Sequence, residues 1–199
     1  MHLDINENIN IDEVIDFATT RHKGQTRYDG SEYIMHPLRV SKLVKQYKPS
    51  TNDKIIEAGA ILHDVLEDTY TSYRELKDKF GEIVASLVME VTSSTFMPKL
   101  VGKQIYLAHK MQYMSSYALV IKLADRLDNI SDLTSVPIEK IKKTYFDTVY
   151  MVNFIETKRV LTEPQKNLVQ AIRIKLEEIN KIHNFSTAKF VVDTDLDQD

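Results

Sequence analysis

Residues 59–69 read "GAILHDVLEDT", setting His63, Asp64, Glu67 and Asp68 among Ala60, Ile61, Leu62, Val65 and Leu66. The apolar spacing is helical and predicts a helix from about Asn52 to Leu66. At about 100° per residue, with His63 at zero, Asp64, Glu67 and Asp68 fall near 100°, 40° and 140°. The four polar groups then share one wedge of roughly 140°, and the apolar residues fill most of the remainder. One reading is a solvated helix face with an incidental histidine. The other is an acid–imidazole cluster facing a cleft, because buried carboxylates need a cation or close hydrogen-bond partners to stay charged. Adjacent His63 and Asp64 offer one nitrogen and one oxygen ligand.

The same period extends in both directions. Ile11, Val14, Ile15 and Ala18 predict a first amphipathic helix running towards Arg21. The polar loop "HKGQTRYDGSEYIMHP" follows, and Pro37 suits the first turn of a second helix with Leu38, Val40 and Leu43. Ser72 with Glu75 reads as a capping box opening a helix with Leu76 and Phe80. Gly81 interrupts that helix, and Ile83 to Val91 resume the pattern. Residues 93–103 read as a polar connector with Pro98. Helices are expected at about Gln104–Met114, Tyr117–Leu133, Ile138–Val160 and Thr162–Ile182. Gly and Pro number five each, and no internal repeat is present. The expectation is an all-α fold, a single bundle of roughly eight to ten helices over residues 1–183. Residues 184–199 read as an acidic, mobile tail.

Composition narrows the function classes. Of 199 residues, 43% are hydrophobic and 28% charged, as in a soluble globular domain. The net charge of −3 argues against a general nucleic-acid binder. No cysteine is present, so disulfides, thiolate metal sites and cysteine nucleophiles drop out. No signal peptide opens the sequence, and no apolar run approaches the ~18 residues of a membrane span. A cytoplasmic location without membrane association is expected.

A second polar intrusion lies in "ALVIKLADRLDNISDL". Asp125 and Asn129 stand four apart on one face, while Leu119, Leu123, Leu127 and Ile130 form a core stripe. Asp125 suits a ligand, or a structural pair with Arg126 or Lys122. His36, before Pro37, suits a ligand or a helix-start surface position.

A histidine, then His-Asp, then a distant aspartate on separate helices is the pattern of the HD phosphohydrolases. The chain resembles their RelA/SpoT hydrolase branch, especially the small alarmone hydrolases of the metazoan type. The stretches that carry the likeness are "HKGQTRYDGSEYIMHPLRV", "GAILHDVLEDT", "FGEIVASLVMEVT", "PKLVGKQ" and "VIKLADRLDNISDL", in family order from about residue 12 to residue 160. The resemblance implies that His36, His63, Asp64 and Asp125 bind one divalent metal, usually manganese (Mn2+). It makes Glu67 and Asp68 the catalytic pair, ordering the attacking water and moving protons. It implies guanosine 3′,5′-bis(diphosphate) or the pentaphosphate as substrate, cleaved to GDP or GTP and pyrophosphate. Arg27 matches an arginine beside the nucleotide and Asn129 a ribose contact. Lys99 and Lys103 are candidate phosphate contacts, and Tyr145 a candidate pocket wall.

Two positions depart from the family pattern. Tyr28 follows Arg27 where a small or basic residue is common. Asp128 stands where His or Tyr is common, and an extra negative charge beside a phosphate site is the expectation there. The chain as given has no room for the synthetase domain of long family members, so hydrolysis without synthesis is expected. Two other readings stay open: an HD phosphohydrolase acting on another nucleotide, such as the 2′-phosphate of NADPH, and a non-catalytic metal-binding regulatory module.

Overall fold

The computed structural model describes residues 9–49 and 53–185. Eleven helices lie among them: α1 Ile11–Arg21, α2 Met35–Tyr47, α3 Asp53–Ile61, α4 Val65–Asp68, α5 Tyr73–Phe80, α6 Glu82–Val91, α7 Met97–Val101, α8 Lys103–Tyr113, α9 Ser116–Ser131, α10 Ile138–Lys158 and α11 Glu163–His183. The all-α expectation holds, and a single antiparallel bridge, Thr26 to Glu32, stands among the described residues in place of any sheet. Two differences raise the helix count. The connector over 93–103 contains the short α7, with Pro98 in its first turn. The helix expected through His63 is interrupted, for a reason that belongs to the site. None of residues 186–199 is described, so most of the expected tail lies outside the described residues.

Local signals set the helix ends. Asn10 accepts from the amide of Asp12 and opens α1. Ser72 accepts from the amide of Glu75 and opens α5, but only half of the expected box forms. The Glu75 carboxylate pairs with Arg21 of α1 instead, so a tertiary ion pair replaces the reciprocal cap. Gly81 ends α5 and precedes α6 with φ +86°, a conformation that side chains with a Cβ rarely adopt.

The long α9 is the spine of the bundle. It packs against α11, α2, α6 and α3, and Leu119, Val120, Ile121, Leu123, Ala124, Leu127 and Ile130 are all buried. Lys122, Asp125 and Asp128 are buried on the same helix, three charges in a core element. Burial at that depth demands partners. Gly59 lets α3 lie close to α6 and α9, since a Cβ there would meet Leu87 Cδ2 at 2.6 Å and Ile121 Cδ1 at 3.1 Å. That close approach carries the end of α3 up to α9, where the charged residues are.

Candidate metal and phosphoryl-transfer site

The helix through "LHDVLED" breaks at the histidine. The Ala60 carbonyl, which in a continuous helix would accept from the Asp64 amide, lies 2.8 Å from His63 Nδ1. α3 therefore ends at Ile61, and α4 restarts with the amides of Glu67 and Asp68 bonded to the Asp64 carbonyl. The wheel drawn for an unbroken helix does not hold across this turn. Asp64, Glu67 and Asp68 still line one cavity, and His63 joins them through its Nε2, 3.1 Å from Asp64 Oδ2.

The turn also settles a tautomer. A carbonyl only accepts, so His63 Nδ1 carries a hydrogen and Nε2 is the nitrogen left to take a cation, a proton or a metal. His36, buried on α2, is set the same way: its Nδ1 lies 2.6 Å from Asp128 Oδ2, leaving Nε2 free to face inward. Asp128 is itself gripped by Arg39, whose Nε and Nη2 reach its two oxygens at 2.7 and 3.0 Å. The charge at 128 is thus buried and spent on His36 and Arg39, and Asp128 does not line the cavity described below. This corrects the expectation of a negative charge beside a phosphate site.

The two Nε2 atoms meet carboxylates from different elements. His36 Nε2 lies 3.3 Å from Asp125 Oδ1 and 3.6 Å from Asp64 Oδ2. His63 Nε2 lies 3.1 Å from Asp64 Oδ2 and 3.8 Å from Asp125 Oδ1. Although charged oxygens are this near, His63 Nε2 is buried with no hydrogen-bond partner among the described residues. An orphaned buried nitrogen facing carboxylates fits a metal ligand better than a packing residue. His36, His63 and Asp125 each offer one atom, all within 4.8 Å of one another, and Asp64 Oδ2 stands alongside. Two imidazoles with carboxylate oxygens suit a mid-series divalent ion. Asp125 Oδ2 also meets Lys122 Nζ at 3.1 Å, the ion pair that the sequence offered as one reading, while its Oδ1 faces the imidazoles.

Electrostatics express the same crowding. Burial disfavours the charged form of His63, but the Asp64 and Asp125 charges outweigh it and push the imidazole up to about 10. Burial likewise opposes a charged His36, yet its bonds to Asp125 and Asp128 hold it above its usual value. Burial raises Asp125, and Lys122 with the two imidazoles more than reverses this, holding it well below the usual carboxylate range. Such crowding favours a cation at the cluster, whether protons or a metal.

Next to the cluster lies a cavity of about 410 Å³ lined by His36, Asp64, Asp125, Glu67 and Asp68 at one end. Glu67 Oε2 accepts from the Ser93 amide at 2.9 Å, which ties α4 to the segment after α6. Asp68 is pushed upward by its burial and by the charges of Asp64 and Glu67. Arg27 and Asn129 line the same cavity. Arg27 Nη2 lies 3.1 Å from Asp132, and its guanidinium approaches Asn129 Oδ1 at 3.4 Å, while Asn129 donates to Asp125. Lys103 also lines it; Lys99, exposed on α7, does not. Tyr145 is buried against Phe146 and Phe185, with its neighbour Thr144 facing the cavity in its place.

Sequence reasoning missed several lining residues: Tyr33, Lys122, Arg126 and Lys140. A signal existed for the middle two, because Lys122 and Arg126 stand one turn from Asp125 and Asn129 on α9. Tyr33 stands one turn before His36, but the chain there is a loop with no period to read.

A family model described as an HD domain matches residues 15–151. Among curated proteins, the chain is 37% identical over 123 residues to guanosine-3′,5′-bis(diphosphate) 3′-pyrophosphohydrolase MESH1 of Xenopus tropicalis, covering 61% of this chain and 68% of that protein. The human MESH1 matches at the same identity and coverage. A guanosine-3′,5′-bis(diphosphate) 3′-pyrophosphohydrolase of Aquifex aeolicus is 36% identical over 148 residues, which is 70% of this chain but 20% of that longer protein. Among solved structures, a metazoan SpoT ortholog described as hydrolysing ppGpp superposes with a TM-score of 0.67 at 27% identity, covering 86% of this chain and 94% of that one. A Listeria monocytogenes EGD-e protein superposes at TM-score 0.60 and 17% identity, covering 75% and 98%, and adds agreement in fold.

Proposed function

The chain belongs to the HD-domain family, in the branch of the small alarmone hydrolases, and on that footing we propose that it is a (p)ppGpp 3′-pyrophosphohydrolase. It cleaves guanosine 3′,5′-bis(diphosphate), or the pentaphosphate, to GDP or GTP and pyrophosphate. The observation that most supports this is the convergence of His36, Asp64 and Asp125, with Glu67 and Asp68, on one cavity, and His63 Nε2 directed at Asp64 Oδ2 behind it. His36, His63, Asp64 and Asp125 would hold a single divalent ion, which we assign as manganese. When bound, it supplies Lewis-acid polarisation of a phosphoryl oxygen and acidification of water.

The protein groups divide the remaining work. Water adds to the α-phosphorus of the 3′-diphosphate, the bond from phosphorus to the ribose 3′ oxygen breaks, and that oxygen takes a proton. One carboxylate must therefore accept a proton as another group delivers one. Glu67, held by the Ser93 amide, accepts from the attacking water. Asp68, raised by burial and by neighbouring charge, is suited to keep a proton for the leaving oxygen. Arg27 and Asn129 hold the nucleoside portion, and Lys103, Lys122, Arg126 and Lys140 give the cavity the positive charge a polyphosphate needs.

The test is turnover of guanosine tetraphosphate by manganese-loaded protein, with GDP and pyrophosphate separated by ion-exchange chromatography and NADPH run in parallel. Release of both products from the first substrate is expected. Phosphate release from NADPH alone would move the assignment to the other nucleotide. Inactivity on both would leave a metal-binding module without this chemistry.

A further inference from the structure

Tyr33 stands between the two kinds of carboxylate in this site. Its hydroxyl donates to Asp64 Oδ2 at 2.6 Å and lies 3.3 Å from Asp68 Oδ2. The Asp64 oxygen is the one that faces both imidazoles, at 3.1 Å from His63 Nε2 and 3.6 Å from His36 Nε2. Asp68 follows Asp64 by one turn, on the four-residue α4, which is too short to be stable by its own hydrogen bonds.

The rest of the loop grips the same element. The Gln25 side-chain amide donates to the Asp68 carbonyl at 2.8 Å, and its oxygen lies 2.8 Å from His22 Nδ1. The Tyr33 amide bonds to the Gln25 carbonyl at 3.0 Å, which joins the two contacts rigidly. The Tyr33 ring is held on two sides, 4.8 Å from the buried His22 ring and 5.8 Å from that of His36. The phenol is thus fixed at both ends, ring and hydroxyl. Its partner at 2.6 Å is a carboxylate oxygen, which accepts, so the phenol donates.

We propose that Tyr33 is the positioning residue that sets the distance between the metal-facing oxygen of Asp64 and the catalytic carboxylate of Asp68. A carboxylate oxygen has two lone pairs. With one engaged by the Tyr33 hydroxyl, the other is directed at the imidazole nitrogens, where a metal would lie. The same hydroxyl oxygen keeps Asp68 within reach of that point. Loss of the hydroxyl frees Asp64 to rotate about its terminal torsion, and Asp68 loses its lateral support. Metal affinity and proton transfer should weaken together, while contacts to the nucleoside through Arg27 and Asn129 should not. The inference rests on the proposed hydrolase reading for its kinetic part, but the metal part stands without it.

The test is Tyr33→Phe, which removes one oxygen and keeps the ring between His22 and His36. Manganese affinity is measured by calorimetry, melting temperature on metal-free protein, and kcat and KM separately at saturating manganese. Manganese affinity should fall about 10- to 100-fold, the usual size for loss of a group that orients a metal ligand. kcat should fall at least tenfold with KM within about twofold of wild type. Wild-type manganese affinity in the variant would overturn the proposal, whatever its activity. So would a variant whose metal-free melting temperature drops while affinity and kcat hold, since that pattern belongs to a packing role. If the wild-type protein proves inactive on guanosine tetraphosphate, the hydrolase reading fails, and the affinity measurement still decides the role of Tyr33.

Discussion

Asp128 Oδ2 lies 2.6 Å from His36 Nδ1, and this contact turns the His36 lone pair towards Asp64 and Asp125. Asp128 is held for that task by the Arg39 guanidinium, which also reaches Asp132, the partner of Arg27. A row of alternating charges thus runs from the cavity residue Arg27 to the buried His36.

The first prediction follows from that row. Asp128→Asn leaves an acceptor for His36 but removes the charge that fixes Arg39 and strengthens the imidazole as a ligand. Manganese affinity should drop about 10- to 100-fold with the helical content unchanged. Calorimetric titration of variant and wild type checks it, and equal affinities would show that the buried pair serves packing alone.

The second concerns Asp125. Asp125→Ala deletes one member of the candidate ligand set and leaves Lys122 buried without its partner at 3.1 Å. Bound manganese should fall to trace levels by elemental analysis. Wild-type protein should gain thermal stability with added manganese, about 2.7 kcal/mol at a hundredfold excess over Kd, and the variant should gain none. A variant that keeps its full metal content would remove Asp125 from the ligand set.

The third returns to the two carboxylates beyond the ligands. Glu67→Gln and Asp68→Asn preserve shape, and neither amide can take up or release a proton as a carboxylate does. Single-turnover hydrolysis at saturating manganese should slow by about 100- to 10,000-fold with metal content intact. Near wild-type rates would mean that α4 carries these acids for its solvated face.

The fourth is a pH dependence. In metal-free protein, His63 is raised from its ordinary 6.5 to about 10 by Asp64 and Asp125. A raised histidine contributes stability that is fully present below 6.5 and is lost as pH rises through 10. The metal-free melting temperature should therefore decline from pH 6.5 to 8.5. Manganese competes with that proton, so the stabilisation it adds should grow over the same interval. Calorimetry with and without manganese reads both slopes; a flat or rising metal-free curve would contradict the assignment.

The fifth tests the packing that delivers the site. Gly59→Ala places a methyl 2.6 Å from Leu87 Cδ2, and α3 must move away from α6 or Leu87 must change rotamer. A loss of about 1–3 kcal/mol in unfolding free energy is expected. Chemical denaturation measures it. An unchanged midpoint would show that Leu87 yields freely.

Much of this protein was legible from neighbouring residues. Helical spacing carried the all-α class and nearly every helix, because amphipathic periodicity is a local record of which face is buried. Gly81 marked the break between α5 and α6 for a similarly local reason, its positive φ. His63, Asp64, Glu67 and Asp68 stood out because charge in an apolar helix costs free energy unless something nearby compensates it. The compensation itself was beyond local reading. Ala60 lends its carbonyl to an imidazole and breaks the helix, a competition between side chain and backbone that a periodic pattern does not register. Glu75 leaves its cap for Arg21, 54 positions away, and Asp128 meets His36 across 92. Tyr33 reaches Asp64 and Asp68 from a loop without any period, and Tyr145 turns into the core while Thr144 faces the cavity. In each case the choice lies between partners equally permitted by residue type, and the packed chain makes it, by bringing one partner within bonding distance and leaving the others out of reach.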